Sequence, residues 1–152
     1  MRRAIELARQ TSIEDKAGGP FGCVIVKDKK IVGEGANRVL VDCDPTCHAE
    51  MNAIRNACKQ LGTHDLSGCT VYSTGEPCPM CYAACWWARV DAIYYASTIH
   101  DAKEFGGFDD VPIYEAMNDA IEERPLKGIA FLREEMLELW KEFDSLAGKA
   151  SY

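Results

Sequence analysis

Apolar residues recur at two periods along this chain, and the changes from one to the other mark out its elements. Met1 to Gln10 has helical spacing through Ile5 and Ala8 and reads as a short opening helix, with room for an earlier start. Gly18-Gly19-Pro20 breaks the chain, and Phe21 to Lys27 then reads as a strand. Asp28-Lys29-Lys30 turns it into a second strand, Ile31 to Leu40, in which Gly33 and Gly35 suggest a bulge. After the loop Asp44-Pro45-Thr46, a helix is predicted from His48 to Gln60, stopped by Gly62. Cys69 to Thr74 reads as a strand, Cys78 to Ala88 as a helix and Ala92 to Ala96 as a strand. Gly106 to Pro112 is an irregular loop. A short helix from Ile113 to Ala120, a brief strand from Gly128 to Leu132 and a final helix through Leu137, Trp140 and Phe143 complete the chain.

Strands alternating with helices predict an α/β fold with helices on both faces of one sheet. The opening hairpin makes two strands antiparallel, so the sheet should be mixed. The chain has 152 residues, 47% of them hydrophobic, which suits a single domain over 1–152 with one core. Lys and Arg number 17 against 24 Asp and Glu, a net charge of −7 that repels phosphate backbones, so no nucleic-acid partner is expected. No apolar run approaches the length of a membrane span, and the basic start lacks a signal peptide's apolar stretch. The expected compartment is the cytosol. The 8 cysteines then read as thiols rather than a disulfide scaffold, with Cys23, Cys58 and Cys69 in apolar-patterned segments.

Chemistry enters with His48-Ala49-Glu50 and Pro77-Cys78-Pro79-Met80-Cys81. Cys78 and Cys81 are spaced i and i+3 at a helix start, so both sulfurs can lie on one face. The positive end of that helix stabilises thiolates, the form that binds metal. With His48 they make a three-ligand zinc site whose fourth position is open, the arrangement of a catalytic zinc. A closed structural site with Cys47 or Cys85 as fourth ligand is the alternative, but it leaves Glu50 without a task. Two thiolates and an imidazole favour zinc over iron or another metal, with one ion per chain. Zinc can lower the pKa of bound water to about 7, supplying hydroxide near neutrality. Glu50 would take the proton from that water, pass it to a ring nitrogen of an amidine-type substrate, and protonate the departing ammonia.

H-A-E followed by P-C-x-x-C is the pattern of zinc deaminases, in which the glutamate is not a ligand. The chain resembles the cytidine deaminase superfamily, and within it the small bacterial guanine deaminases and the related plant guanosine deaminase. The resemblance spans about residues 18 to 115. It rests on Gly18-Gly19-Pro20-Phe21-Gly22, Asp44-Pro45-Thr46, Ala53-Ile54-Arg55, Glu76-Pro77-Cys78-Pro79-Met80-Cys81, Trp87-Ala88-Arg89 and Gly107-Phe108-Asp109-Asp110. It implies a three-layer α/β/α fold around a mixed sheet of about five strands, and a homodimer that can exchange C-terminal segments.

Asn37 matches the base-binding asparagine of the family, and Asp110 matches an acidic residue facing the substrate. Guanine presents an N–H and an amino group side by side, and a carboxylate only accepts. Phe21 can stack on a planar base or fill a core position, and the terminal Tyr152 can close the pocket. Gly75, Cys47, Trp86-Trp87, Gly106-Gly107 and the tail after Ala116 depart from the usual pattern without removing a catalytic part. The expected reaction is guanine to xanthine plus ammonia. Isocytosine, cytosine, ammeline and guanosine are rival substrates. Deamination of adenosine in transfer RNA is a less favoured activity, and a non-catalytic zinc-stabilised interaction module is the rival outside enzymes.

Overall fold

The structure is a computed structural model and describes residues 1–150, so the expectation for Tyr152 lies outside the described residues. The chain divides into two compact units, Met1–Val111 and Pro112–Tyr152. The first contains α1 (Arg2–Arg9), which runs into a π-helical turn over Gln10–Glu14, then β1 (Gly22–Lys27), β2 (Lys30–Ala36), α2 (Val39–Asp42) and α3 (Ala49–Leu61). It continues through β3 (Cys69–Gly75), α4 (Pro79–Trp87), β4 (Ala92–Ser97) and α5 (Ile99–Gly106). Helices α6 (Val111–Ala116) and α7 (Arg133–Ser145) follow. No helix among the described residues is long and apolar enough to cross a membrane.

The four strands form one mixed sheet in the order β2-β1-β3-β4. β1 pairs antiparallel with β2 and β3, and β3 pairs parallel with β4. Glycines set how closely helices approach this sheet. A Cβ on Gly35 would lie 2.2 Å from the Ala49 carbonyl oxygen, and one on Gly33 2.5 Å from that of Ala53, so α3 lies with its backbone on β2. A Cβ on Gly22 would lie 2.1 Å from the Ala4 carbonyl oxygen, which brings α1 against β1. Gly35 pairs with Cys23, the neighbour of Gly22, and successive residues of a strand face opposite ways. Helices α1 and α3 therefore cover opposite faces, the expected layering.

The core lies on the α3 side. Cys23, Ile25, Cys69 and Val71 from the strands meet Ala49, Ala53 and Ala57 from α3 and Cys85 and Ala88 from the α4 segment. Alanines at i, i+4 and i+8 give α3 a flat inner stripe that suits glycine-bearing β2. Full burial of a residue such as Ile25 or Val71 stabilises the fold by roughly 1.5–3 kcal/mol. All eight cysteines are free. Cys23 and Cys69 are buried in the core, with Cys58 packed at its edge.

Several expectations are corrected. The sheet has four strands among the described residues rather than about five, because Gly128–Leu132 is not a strand. Gly128 N–H donates to the Ile121 carbonyl at 3.1 Å and closes a loop, and Leu132 takes a left-handed conformation (φ 53°) before α7. A two-point alternation, Ile129 and Phe131, is too short a signal to fix a strand without a sheet edge to receive it. The second strand stops at Ala36, not Leu40. The chain bends at Asn37, whose Oδ1 accepts from Val39 N–H at 3.3 Å, and α2 begins. The bulge falls at Val32, since Ile25 pairs with Gly33 and Val26 with Ile31. Gly33 borders it, while both glycines serve the packing of α3. Helix α5 is an addition to the expected elements, although Thr98 and Asp101 form a full capping box at its start and left-handed Gly107 ends it.

The second unit buries none of its described residues. Met136, Leu139 and Trp140 of α7 stand 44%, 53% and 56% exposed, and Trp140 packs edge-on against Phe143 at 6.0 Å. With Phe143 they form an apolar stripe at i, i+3, i+4 and i+7.

Candidate active site

Two helix starts converge at the carboxyl end of β3. His48 is the N-cap of α3 and Cys78 the N-cap of α4, each in extended conformation, with Pro79 opening the second helix. His48 Nδ1 lies 3.5 Å from Cys78 Sγ and 3.6 Å from Cys81 Sγ. The three candidate ligand atoms lie within 4.8 Å of one another. Two sulfurs and one imidazole nitrogen around a common point fit a tetrahedral zinc with one position left open. A hydrogen bond from the Cys81 thiol, then the His48 imidazole, lowers the Cys78 pKa to about 4. Cys81 is pushed upward because it shares its proton with Cys78 and faces Glu50. Contact with Cys78 raises the His48 pKa. Cys78 and Cys81 would bind a metal as thiolates, releasing the proton they share.

Both candidates for a fourth ligand are engaged elsewhere. Cys85 is 1% exposed within the apolar core, and Cys47 Sγ donates to Asp44 Oδ2 at 3.3 Å. Glu50, at the second position of α3, is 5% exposed. Its Oε1 accepts from the Ser73 hydroxyl at 2.8 Å. Burial raises its pKa, opposed by that hydroxyl and by Cys81. A buried carboxylate with one oxygen held by a neutral donor suits proton transfer.

These groups open onto a cavity of about 440 Å³, within the range of small-molecule sites. His48, Glu50 and Cys78 line it together with Asn37, Asp110 and Phe21. Asn37 is 5% exposed at the end of β2. Its backbone carbonyl accepts from Thr11 Oγ1 at 2.5 Å, and its Oδ1 accepts from Val39 N–H at 3.3 Å. The two aspartates of the loop before α6 separate. Asp109 pairs with Lys103 Nζ at 2.7 Å, whereas Asp110 faces the cavity, where burial and the nearby Cys78 raise its pKa.

Phe21 meets Phe108 edge to face at 5.1 Å, a pair that walls the cavity with aromatic surface. A Cβ on Gly75 would lie 3.1 Å from Phe21 Cε1, so a side chain there would shift the ring by a few tenths of an ångström.

Three lining or adjoining residues are not singled out by sequence reasoning. Phe108 and Glu76 lie inside segments that carry the family resemblance but have no assigned part there. Glu76 Oε2 accepts from Ile99 N–H at 3.2 Å and ties the site to α5. Ser73 does carry a signal: a hydroxyl in the inward register of Cys69 and Val71, where an apolar residue is the norm.

Known proteins resemble this chain in sequence and in fold. A model of the cytidine and deoxycytidylate deaminase zinc-binding region matches residues 1–97. The chain is 43% identical to the guanine deaminase of Bacillus subtilis over 152 residues, covering all of this chain and 96% of that one. The crystal structure of that enzyme superposes with a TM-score of 0.93 over 99% of this chain and 95% of that one, at 44% identity. A guanine deaminase from Nitrosomonas europaea aligns with a TM-score of 0.66 and 31% identity over 73% of this chain and 63% of its own. The transfer-RNA-specific adenosine deaminase of Aquifex aeolicus is 35% identical over 129 residues, 85% of this chain and 82% of that one.

Proposed function

The chain belongs to the cytidine and deoxycytidylate deaminase zinc-binding family, and on that premise we propose that it hydrolyses guanine to xanthine and ammonia. The observation that carries this reading is Asp110: a carboxylate that lines the same cavity as Glu50 and the His48/Cys78/Cys81 cluster, while Asp109 is held by Lys103. An acceptor-only group suits the adjacent N–H and amino donors of guanine. Asn37 supplies an amide donor to the purine, and Phe21 and Phe108 supply planar apolar contact. His48, Cys78 and Cys81 would hold zinc, which would supply the chemistry that makes a water nucleophilic at neutral pH. Glu50 would take one proton from the attacking water and deliver it to the ring nitrogen, then carry the remaining proton of the added hydroxyl to the amine as the C–N bond breaks. The net reaction adds water at the amino-bearing carbon and releases ammonia. The net charge of −7 favours a free base over transfer RNA.

Substrate choice tests Asp110 directly. The zinc-loaded protein should turn over guanine in preference to isocytosine, ammeline, cytosine, guanosine and adenine. Asp110→Asn turns an amide donor toward the guanine donors and should lower kcat/KM for guanine by at least about a hundredfold, mostly through KM, with zinc retained. Steady-state kinetics on both proteins would overturn the reading if the variant used guanine as well as the parent, or if adenine or cytosine were preferred.

We also propose a homodimer in which the C-terminal unit of each chain covers the other, bringing Tyr152 to the partner's pocket. The α7 stripe and the absence of any buried residue in the described part of that unit support this. Light scattering should give twice 16.9 kDa, and a mass of 16.9 kDa would overturn it.

A further inference from the structure

We infer that Ser73 is a positioning residue for the Glu50 carboxylate, holding its Oε1 against β3. The inward row of β3 is Cys69, Val71 and Ser73, and each is 0% exposed. Cys69 and Val71 belong to the apolar core, and the hydroxyl continues their register beneath the first turn of α3. Burying a hydroxyl is unfavourable unless it is hydrogen-bonded, so Ser73 fits this place through its partner rather than through packing. That partner is Glu50 Oε1, accepting at 2.8 Å.

A neutral donor holds the carboxylate without adding charge and without competing for the proton as a base. With Oε1 tied to the strand, the side chain of Glu50 is fixed at its far end as well as at its backbone. Such a residue touches neither substrate nor metal. Its loss should therefore appear in kcat, since proton transfer needs the carboxylate held within hydrogen-bond reach. Guanine binding through Asp110 and Asn37, and zinc binding through His48, Cys78 and Cys81, should be unaffected.

The inference rests on the proposed proton-carrying part of Glu50, and the variants separate the two. Ser73→Ala and Ser73→Cys, the second of similar shape but a poor donor, should each lower kcat on guanine by at least about tenfold, as expected for a lost hydrogen bond to a charged group. KM and zinc content should stay at their parental values. Ser73→Thr, which keeps the hydroxyl, should restore kcat to near the parent. In Glu50→Gln, adding Ser73→Ala should cost nothing further, because the two act as one unit. A folded, zinc-loaded Ser73→Cys with parental kcat overturns the inference, as does Ser73→Thr falling as far as Ser73→Ala. An inactive Glu50→Gln beside a fully active Ser73→Ala removes this inference alone, whereas an active Glu50→Gln removes it together with the reading of Glu50.

Discussion

Glu50→Gln should leave a folded, zinc-loaded protein whose kcat on guanine is lower by about 10²–10⁴. Gln has the same shape and keeps an oxygen that can accept from Ser73, so the buried hydrogen bond at 2.8 Å survives. What is lost is the proton-carrying oxygen. Glu50 is outside the group of three candidate ligands, so zinc content should not change. Stability should not fall either. Burial raises the pKa of Glu50 and so works against its charged form, and a neutral amide is relieved of that penalty. The measurement is kcat beside metal content and Tm. Near-parental turnover would remove Glu50 from the mechanism, and loss of zinc would make it a ligand.

Cys81→Ser should abolish zinc retention and activity together. Cys81 is 0% exposed in the first turn of α4, and a serine hydroxyl there is a hard, poorly ionised donor in place of a soft thiolate. Loss of groups that merely orient metal ligands costs about 10–100-fold in affinity or activity, so loss of a ligand should exceed about a hundredfold. Cys85→Ala and Cys47→Ala are the matched controls. Cys85 lies in the apolar core and Cys47 on Asp44, so both variants should keep zinc and turnover. Loss of zinc from either control would establish a closed, four-ligand site and remove the open position that hydrolysis requires.

The first unit is legible in the sequence wherever its own pattern decides the structure. The hairpin, α3, β3, α4 and β4 follow strong periodicity and clear stop residues, and the ligand cluster follows from i, i+3 spacing at one helix start facing a histidine at another. Sequence reasoning fails where distant contacts decide. The Thr11 hydroxyl, distant in sequence, holds the Asn37 carbonyl where β2 ends, whereas the Asn37 Oδ1 bond to Val39 N–H is a local turn that strand periodicity does not reveal. The apolar residues of 128–132 suggest a strand, yet Ile129 and Phe131 stand 87% and 84% exposed. Two further features have local signatures that apolar periodicity alone does not reveal. Thr98 with Asp101 announces α5, and Ser73 stands as a hydroxyl in a core register. The resemblance selects Asp110 over Asp109, and the structure adds a physical reason, since Asp109 pairs with Lys103 from the preceding helix.

Zinc-activated hydrolysis of guanine is tested most directly by incubating guanine with the zinc-loaded protein in water enriched in heavy oxygen. Mass spectrometry then identifies the product, with Glu50→Gln run alongside. Xanthine carrying one heavy oxygen, equimolar ammonia and little product from the variant are expected. Unchanged guanine with the parent protein, or equal xanthine from both proteins, would contradict the proposed reaction and the part of Glu50 in it.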